Sequence, residues 1–302
     1  MTSIIVGSRL HFGLMDVRPP FGGIGVMIDH PALTITGGPD VGHSAAGTTG
    51  ELATRTLASI CDRLDETSQR RLRSEAFGVS IDGPLHRHVG LGSGTQVAMA
   101  VAELVVRHLR GQTDRGRVKS LSGRGKRSLI GQIGYTRGGC IFENGAEYQR
   151  LAVAPQWRIV VAIPKSPPPT VSGQTEKNLF SQLPPPTDNQ RSKLRAARDE
   201  IKTALSANDF DRFATSLTLF NRLSGGLFES VQDGIYRSPQ VQSLVDRLLD
   251  FGVRGVGQSS WGPGVMAWCP NATSAETLLN QIREDIDWGF IATVDDHGRK
   301  VH

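Results

Sequence analysis

The 302 residues carry 34 Lys and Arg against 29 Asp and Glu, a formal net charge of +5, with 38% hydrophobic and 21% charged residues. That balance excludes a disordered or collagenous chain, and the length allows two domains of ordinary size. Aromatic residues make up 6% and no Lys/Arg block is interleaved with them, which argues against a nucleic-acid surface. Scattered cations in a chain with 35 glycines suit small anions that the backbone can approach closely.

In chain order, SIIVGSRLHFGL reads as a strand, and GIGVMIDHPALTITGG as a second one after a Pro-Pro-Phe-Gly-Gly turn. Thr48 to Arg73 is predicted as one helix with a polar face. FGVSIDG is a short strand that leads into PLHRHVGLGSGTQ, and Thr95 to Arg110 is apolar nearly all round, the mark of a buried helix. DRGRVKSLSGRGKRSLIGQIGYTRGGCIFENG predicts one or two short helices broken by glycines, then a strand. A boundary is expected near Gln149 to Gln156, with residues 1–153 and 154–302 as two domains, because WRIVVAIP begins a new strand. The proline clusters Pro167–Pro169 and Pro184–Pro186 are expected as extended surface loops. Helices follow at Gln190–Ser206, Asp209–Leu223 and Gln240–Leu249, then two strand segments in VRGVGQSSWGPGVMAW, a helix over Ser274–Asp287 and a last strand, WGFIATV. The order predicts an α+β layered fold. Cys61, Cys140 and Cys269 show neither a disulfide framework nor zinc spacing, and no segment reads as a signal peptide or membrane span. A reducing cytoplasm is the expected location.

Four segments carry chemistry. GLGSGT (Gly90, Leu91, Gly92, Ser93, Gly94, Thr95) opens the buried helix, with Gln96 next. A helix N-terminus with exposed amides is a ready anion site, and the hydroxyls of Ser93 and Thr95 suit phosphate or magnesium. The segment is neither a Walker A motif nor a Rossmann fingerprint, and the competing reading is a turn that merely lets the helix pack tightly. GRGKRS places Arg124, Lys126, Arg127 and Ser128 on a glycine-rich loop. Guanidinium forks there suit a pyrophosphate or carboxylate, against an ordinary basic turn. GVGQSSWGPG, with Ser259, Ser260, Trp261 and Gly262, is either a hairpin loop or a backbone packed beside a ligand. In SRLHFGLMD, alternation puts Arg9 and His11 on one strand face. Asp16 is a candidate for sugar hydroxyls or magnesium, and a satisfied structural histidine is the bland alternative for His11. His86 and His88 are read as structural.

Taken in order, SRLHFGLMD with FGGIGVMID (which contains Gly22 and Gly23), HVGLGSGTQ, and GVGQSSWGPGVMAW resemble the three signature regions of the GHMP kinase superfamily. The wording is closest to the β-ribofuranosylaminobenzene 5′-phosphate synthase family within it. Gly123-Arg124-Gly125, Ser128-Leu129-Ile130-Gly131 and Ser260-Trp261-Gly262-Pro263 are similar to further segments of that family. Where many GHMP kinases carry a Ser-Gly-Ile-Asp segment with a basic Asp, Arg127 to Gly131 holds no carboxylate.

The resemblance implies a two-domain GHMP-kinase-like fold, with a ribosomal protein S5 domain 2-like first domain and a ferredoxin-like second. It also implies a reaction. Phosphoribosyl pyrophosphate condenses with 4-aminobenzoate or 4-hydroxybenzoate, releasing carbon dioxide and pyrophosphate, as the first step of the benzenoid branch of methanopterin biosynthesis. Magnesium, no organic cofactor and frequent homodimers are implied with it. The expected roles are a leaving-group cage of residues 90–95 with magnesium, Arg124 and Arg127, a phosphate contact at Gln96, catalytic places for Asp16 and Ser128, a carboxylate partner in Arg9, and a wall of His11, Gly22, Gly23 and residues 259–262. An ATP-dependent small-molecule kinase and a non-catalytic phosphometabolite-binding protein are the alternatives.

Overall fold

Alternation runs long enough through the first forty residues to build two extended strands, β1 (Thr2–Leu14) and β2 (Gly23–Pro39), paired antiparallel. Their register slips between Val6 and Ser8 and again between His11 and Gly13, and such irregularities re-aim a strand. The second slip lies at the site described below. The computed structural model describes all residues except 42–47, 146, 168–172 and 233, so Pro168 and Pro169 lie outside the described residues.

β3 (Phe77–Asp82) and β4 (Cys140–Asn144) share the other edge of β2, β5 (Glu147–Leu151) extends from β4, and β10 (Lys300–Val301) returns to flank β1. Five helices accompany this sheet: α1 (Thr48–Cys61), α2 (Glu66–Ser74), α3 (Ser93–Arg110), α4 (Arg115–Ser122) and α5 (Ile130–Arg137). The single helix expected over 48–73 is two. Asp65 caps the second by accepting from the Ser68 amide at 2.8 Å, and an N-cap starts a helix anew. α3 buries an unbroken run from Gln96 to Val106, as its composition predicts.

The second sheet contains β6 (Arg158–Pro164), β7 (Gly255–Gln258), β8 (Val265–Cys269) and β9 (Ile286–Ala292), antiparallel in the order β7-β8-β6-β9. That order, with helices after its first and third strands, is the split βαββαβ arrangement of a ferredoxin-like layer. Among the described residues, four α-helices lie between β6 and β7: α6 (Gly173–Gln182), α7 (Asp188–Ser206), α8 (Phe210–Gly226) and α9 (Pro239–Asp250). α10 (Ala272–Gln281) is shorter than the predicted helix, because residues from Ile286 pair with β6. The expected boundary at 153/154 falls between β5 and β6. No described helix is long and apolar enough to cross a membrane, and the three cysteines are unpaired.

One apolar core joins the sheets, with Leu10 and Phe12 from β1, Phe213 and Phe220 from α8, and Trp268 from β8. Phe12 and Phe213 meet Trp268 edge-on at centroid distances of 6.0 and 4.8 Å. α8 also carries polar ties. Asn221 Nδ2 donates to the carbonyls of Phe12 (2.6 Å) and Gln258 (2.9 Å), and Ser224 Oγ accepts from the Leu14 amide (2.7 Å). β1 and β7 are thereby held against the same helix face.

Candidate active site

The chain enters α3 through Gly90 (φ +97°) and Gly92 (φ +69°), both in the left-handed region open to glycine. A Cβ on Gly90 would sit 2.4 Å from the Ser259 carbonyl, and one on Gly92 3.0 Å from Arg9 Nε, so these two glycines serve close packing. Gly94 differs, since its nearest neighbour would be Arg124 Nη2 at 3.7 Å. The packing reading of the glycine loop describes Gly90 and Gly92, while Gly94 leaves an open face beside Arg124. No side chain caps α3 and no acid stands in its first turn, so the positive end of the helix is uncompensated.

The β7–β8 hairpin loop, residues 259–264, is bolted onto this turn. Ser259 Oγ donates to the Gly90 carbonyl (2.7 Å) and accepts from the His11 amide (3.0 Å), while the Gly264 amide donates to the Val89 carbonyl (3.1 Å). The Arg9 amide donates to the Leu91 carbonyl at 2.8 Å. Three distant segments of sequence thus become one rigid seam.

On one side of the seam is a cavity of about 640 Å³. Gly90, Gly92, Ser93, Gly94 and Thr95 line it together with Arg9, Arg55, Arg63, Arg87 and Arg124. Among the described residues none of these five arginines makes an ion pair. Desolvation, then the charge of Arg63, lowers the pKa of Arg124, against the opposing pull of Glu176.

A second cavity of about 600 Å³, which shares part of its lining with the first, is walled by Phe12, Phe180, Phe228 and Trp261, with His11, Lys126, Arg127 and Ser128 also on its lining. His11 Nδ1 accepts from the Gly13 amide at 3.2 Å, which assigns the ring proton to Nε2. Burial, with Arg9 second, pulls the His11 pKa down to about 3 and keeps the ring neutral. Arg9 lines both cavities, and its Nε is sealed from solvent with no hydrogen-bond partner among the described residues. Burial lowers its pKa against the opposing pull of Glu143 and Glu176. Arg127 pairs with Glu176 and lies 4.1 Å over the Phe180 ring. Below this loop, Glu143 Oε2 accepts from the Leu129 amide at 2.5 Å while Oε1 is buried without a partner, and burial raises its pKa.

The structure therefore gathers Arg9, His11, Gly90, Gly92, Ser93, Gly94, Thr95, Arg124, Arg127, Ser128, Ser260, Trp261 and Gly262 around the two cavities. It does not bring Asp16 there, whose carboxylate pairs with Arg191 at 2.9 Å and accepts from the Arg18 amide at 3.0 Å. Gly22 and Gly23 also stand outside the linings. A Cβ on Gly23 would meet the Gly13 carbonyl at 2.8 Å, so its smallness serves strand pairing. Leu91 and Gln96 are buried, the latter donating to the Gly131 carbonyl at 3.1 Å, and Ser259 is fully enclosed. These three are struts of the loop.

Sequence reasoning missed Arg55, Arg63, Arg87, His88 and Glu176 on the cavity walls. The polar face assigned to residues 48–73 was the available signal for the first two. Among the described residues no cluster of three or more His, Cys, Asp or Glu is placed to hold a metal.

Residues 201–287 match the family described as GHMP kinases C terminal. The chain is similar to β-ribofuranosylphenol 5′-phosphate synthase of Methanothermobacter thermautotrophicus, 25% identical over 286 residues and 85% of either chain. It is likewise similar to the protein of that name from Methanocaldococcus jannaschii, 24% identical over 294 residues, 86% of this chain and 87% of the other.

Homoserine kinase from Cytophaga hutchinsonii superposes with a TM-score of 0.70 at 16% identity, over 100% of this chain and 97% of its own. Mevalonate pyrophosphate decarboxylase from Streptococcus pyogenes does so with 0.70 at 12%, over 98% and 97%. The fold is that of the GHMP kinases, and the resemblance to the synthases extends along most of the chain.

Proposed function

We propose that the chain is a pentosyltransferase that condenses phosphoribosyl pyrophosphate with 4-hydroxybenzoate or 4-aminobenzoate, releasing carbon dioxide and pyrophosphate. The relatives' name, which specifies a phenol product, supports the hydroxy acid as acceptor. The observation that carries the reading is Arg9, a guanidinium with a sealed, partnerless Nε at the wall shared by an arginine-lined basin and an aromatic cavity. A diphosphate suits the first cavity and a benzoate ring the second, with its carboxylate on Arg9.

In the reaction the bond from ribose C1 to the diphosphate breaks, and its electrons leave on oxygen. The ring carbon bearing the carboxylate supplies the pair for the new bond to C1. The electrons of the carbon–carboxylate bond then return to the ring as carbon dioxide departs. The open face of Gly94 and the guanidinium of Arg124 stabilise charge that gathers on the leaving group, the largest lever of such a site. Neutral His11, with its proton on Nε2, lines the aromatic cavity.

The oxygen donors fit magnesium that arrives on a diphosphate. Such an ion keeps several waters and takes one or two protein oxygens beside the substrate phosphates, and Ser93 and Thr95 provide hydroxyls on the basin wall. Bound there, it would neutralise part of the leaving charge.

Incubation with magnesium, phosphoribosyl pyrophosphate and a carboxyl-labelled benzoate should release labelled carbon dioxide, and ATP in place of the ribosyl donor should not. A second reading, an ATP-dependent small-molecule kinase, gains from one observation. A carboxylate absent from the 127–131 segment does reach the cavities from α6, as Glu176. Transfer from ATP to a small alcohol without carbon dioxide release would establish that reading instead.

A further inference from the structure

Ribosyl transfer of this kind gathers positive charge at C1 while negative charge builds on the diphosphate, an oxocarbenium-like transition state. The arginines of the basin serve the second charge and oppose the first. The two cavities share Arg9, Thr95, Arg124, Glu176, Ser260 and Trp261 among their walls. A donor with its diphosphate in one cavity and its acceptor in the other has C1 at that shared boundary. Among the described residues lining either cavity, Glu176 is the only acid.

The placement of Glu176 is built rather than incidental. It lies in the first turn of α6, a helix that buries none of its own residues. α6 is held by Phe180, whose ring meets Phe228 and Trp261 at 5.5 Å each, and by Arg18 Nη2, which donates to the Leu183 carbonyl at 2.6 Å. Arg127, itself stacked on Phe180, engages Glu176 Oε1, and Oε2 makes no hydrogen bond among the described residues. One carboxylate oxygen is thus anchored and the other is left for a ligand.

We propose that Glu176 is a catalytic carboxylate that faces the ribose, accepting from its hydroxyls through Oε2 and stabilising the positive charge at C1. The inference rests on the pentosyltransferase reading. It predicts that Glu176→Gln, which keeps size and an acceptor for Arg127, lowers kcat for carbon dioxide release about a hundredfold.

A binding measurement separates this inference from the activity itself. Calorimetric titration with phosphoribosyl pyrophosphate and with inorganic pyrophosphate, both with magnesium, should show the first weakened about fivefold in Glu176→Gln. Pyrophosphate should bind equally well or more tightly, since it lacks the ribose and is relieved of a like charge. Glu176→Asp should fall between wild type and Glu176→Gln in both assays.

Equal changes for the two ligands, or a turnover within threefold of wild type, would overturn the proposal. So would a deficit cured by raising magnesium, which would assign the carboxylate to the metal. A wild type that releases no carbon dioxide from either benzoate while its ligand preference depends on Glu176 would sink the synthase reading and leave the ribose contact standing.

Discussion

The imidazole of His11 is kept neutral because burial, and then the charge of Arg9, makes protonation costly, with a pKa of about 3. The unfolded chain binds a proton near 6.5, so this histidine contributes its full stability above that value. The contribution is lost progressively as the pH falls from 6.5 toward 3, because only the unfolded state takes up the proton. At pH 4.5, two units below the unfolded value, the loss corresponds to about 2.7 kcal/mol. Thermal melts at pH 7 and 4.5 should therefore show a smaller acid-induced drop for His11→Asn than for wild type, and equal drops would mean that His11 is protonated in the fold. At the same scale, Arg124→Ala should cut turnover about a hundredfold with the fold intact, as expected when one preorganised donor is removed. Carbon dioxide release read beside a circular-dichroism melt checks both halves. Arg9, His11 and Arg124 were legible because each stands in a short polar pattern beside glycine or on a strand face. Asp16 looked equally promising, but its fate is decided by Arg191, 175 residues away, a partner that no local pattern announces.

Ser259 shows how elements, rather than single residues, shape the glycine turn. Its hydroxyl bridges the β7–β8 loop, β1 and the entry to α3, and the residue is wholly enclosed. Ser259→Ala leaves the His11 amide and the Gly90 carbonyl short of a partner, which costs about 1–3 kcal/mol for buried groups. A denaturant melt should report that loss, and turnover at saturating substrate should fall further than stability alone explains, because Gly90 is released from its neighbour. Unchanged activity in a destabilised variant would show that the seam is only structural. The elements of this seam were readable since β1, β2 and α3 carry strong period-two or unbroken apolar signals. α6 gave no such signal, for it buries no residue of its own and so leaves no periodicity in the sequence. β5 was equally silent: its first three residues are exposed and it reads Glu-Tyr-Gln-Arg-Leu. Glu176, the acid on the cavity walls, therefore lies on a helix that the sequence pattern did not announce.

Across the whole molecule, the arginine basin draws on parts far apart in sequence: Arg9 from β1, Arg55 from α1, Arg63 just beyond it, Arg124 after α4, and Gly262 from the second sheet. An anion bound there touches both sheets and stabilises their union, and its binding free energy adds to the stability of the folded chain. Pyrophosphate at a hundred times its dissociation constant should contribute about 2.7 kcal/mol, which for a chain of this size raises Tm by roughly 5 °C. The pair Arg55→Ala and Arg63→Ala, made together, should shrink that shift, as should raising the salt concentration, since Arg55 and Arg63 are exposed. The small cavity lined by Arg115, Lys119 and Arg137 is the rival anion site on the described surface. Replacing those three with Gln should leave the shift unaltered. A shift that survives the first pair of substitutions and vanishes with the second set would move the anion to the far side of α4, and with it the chemistry assigned to the glycine turn.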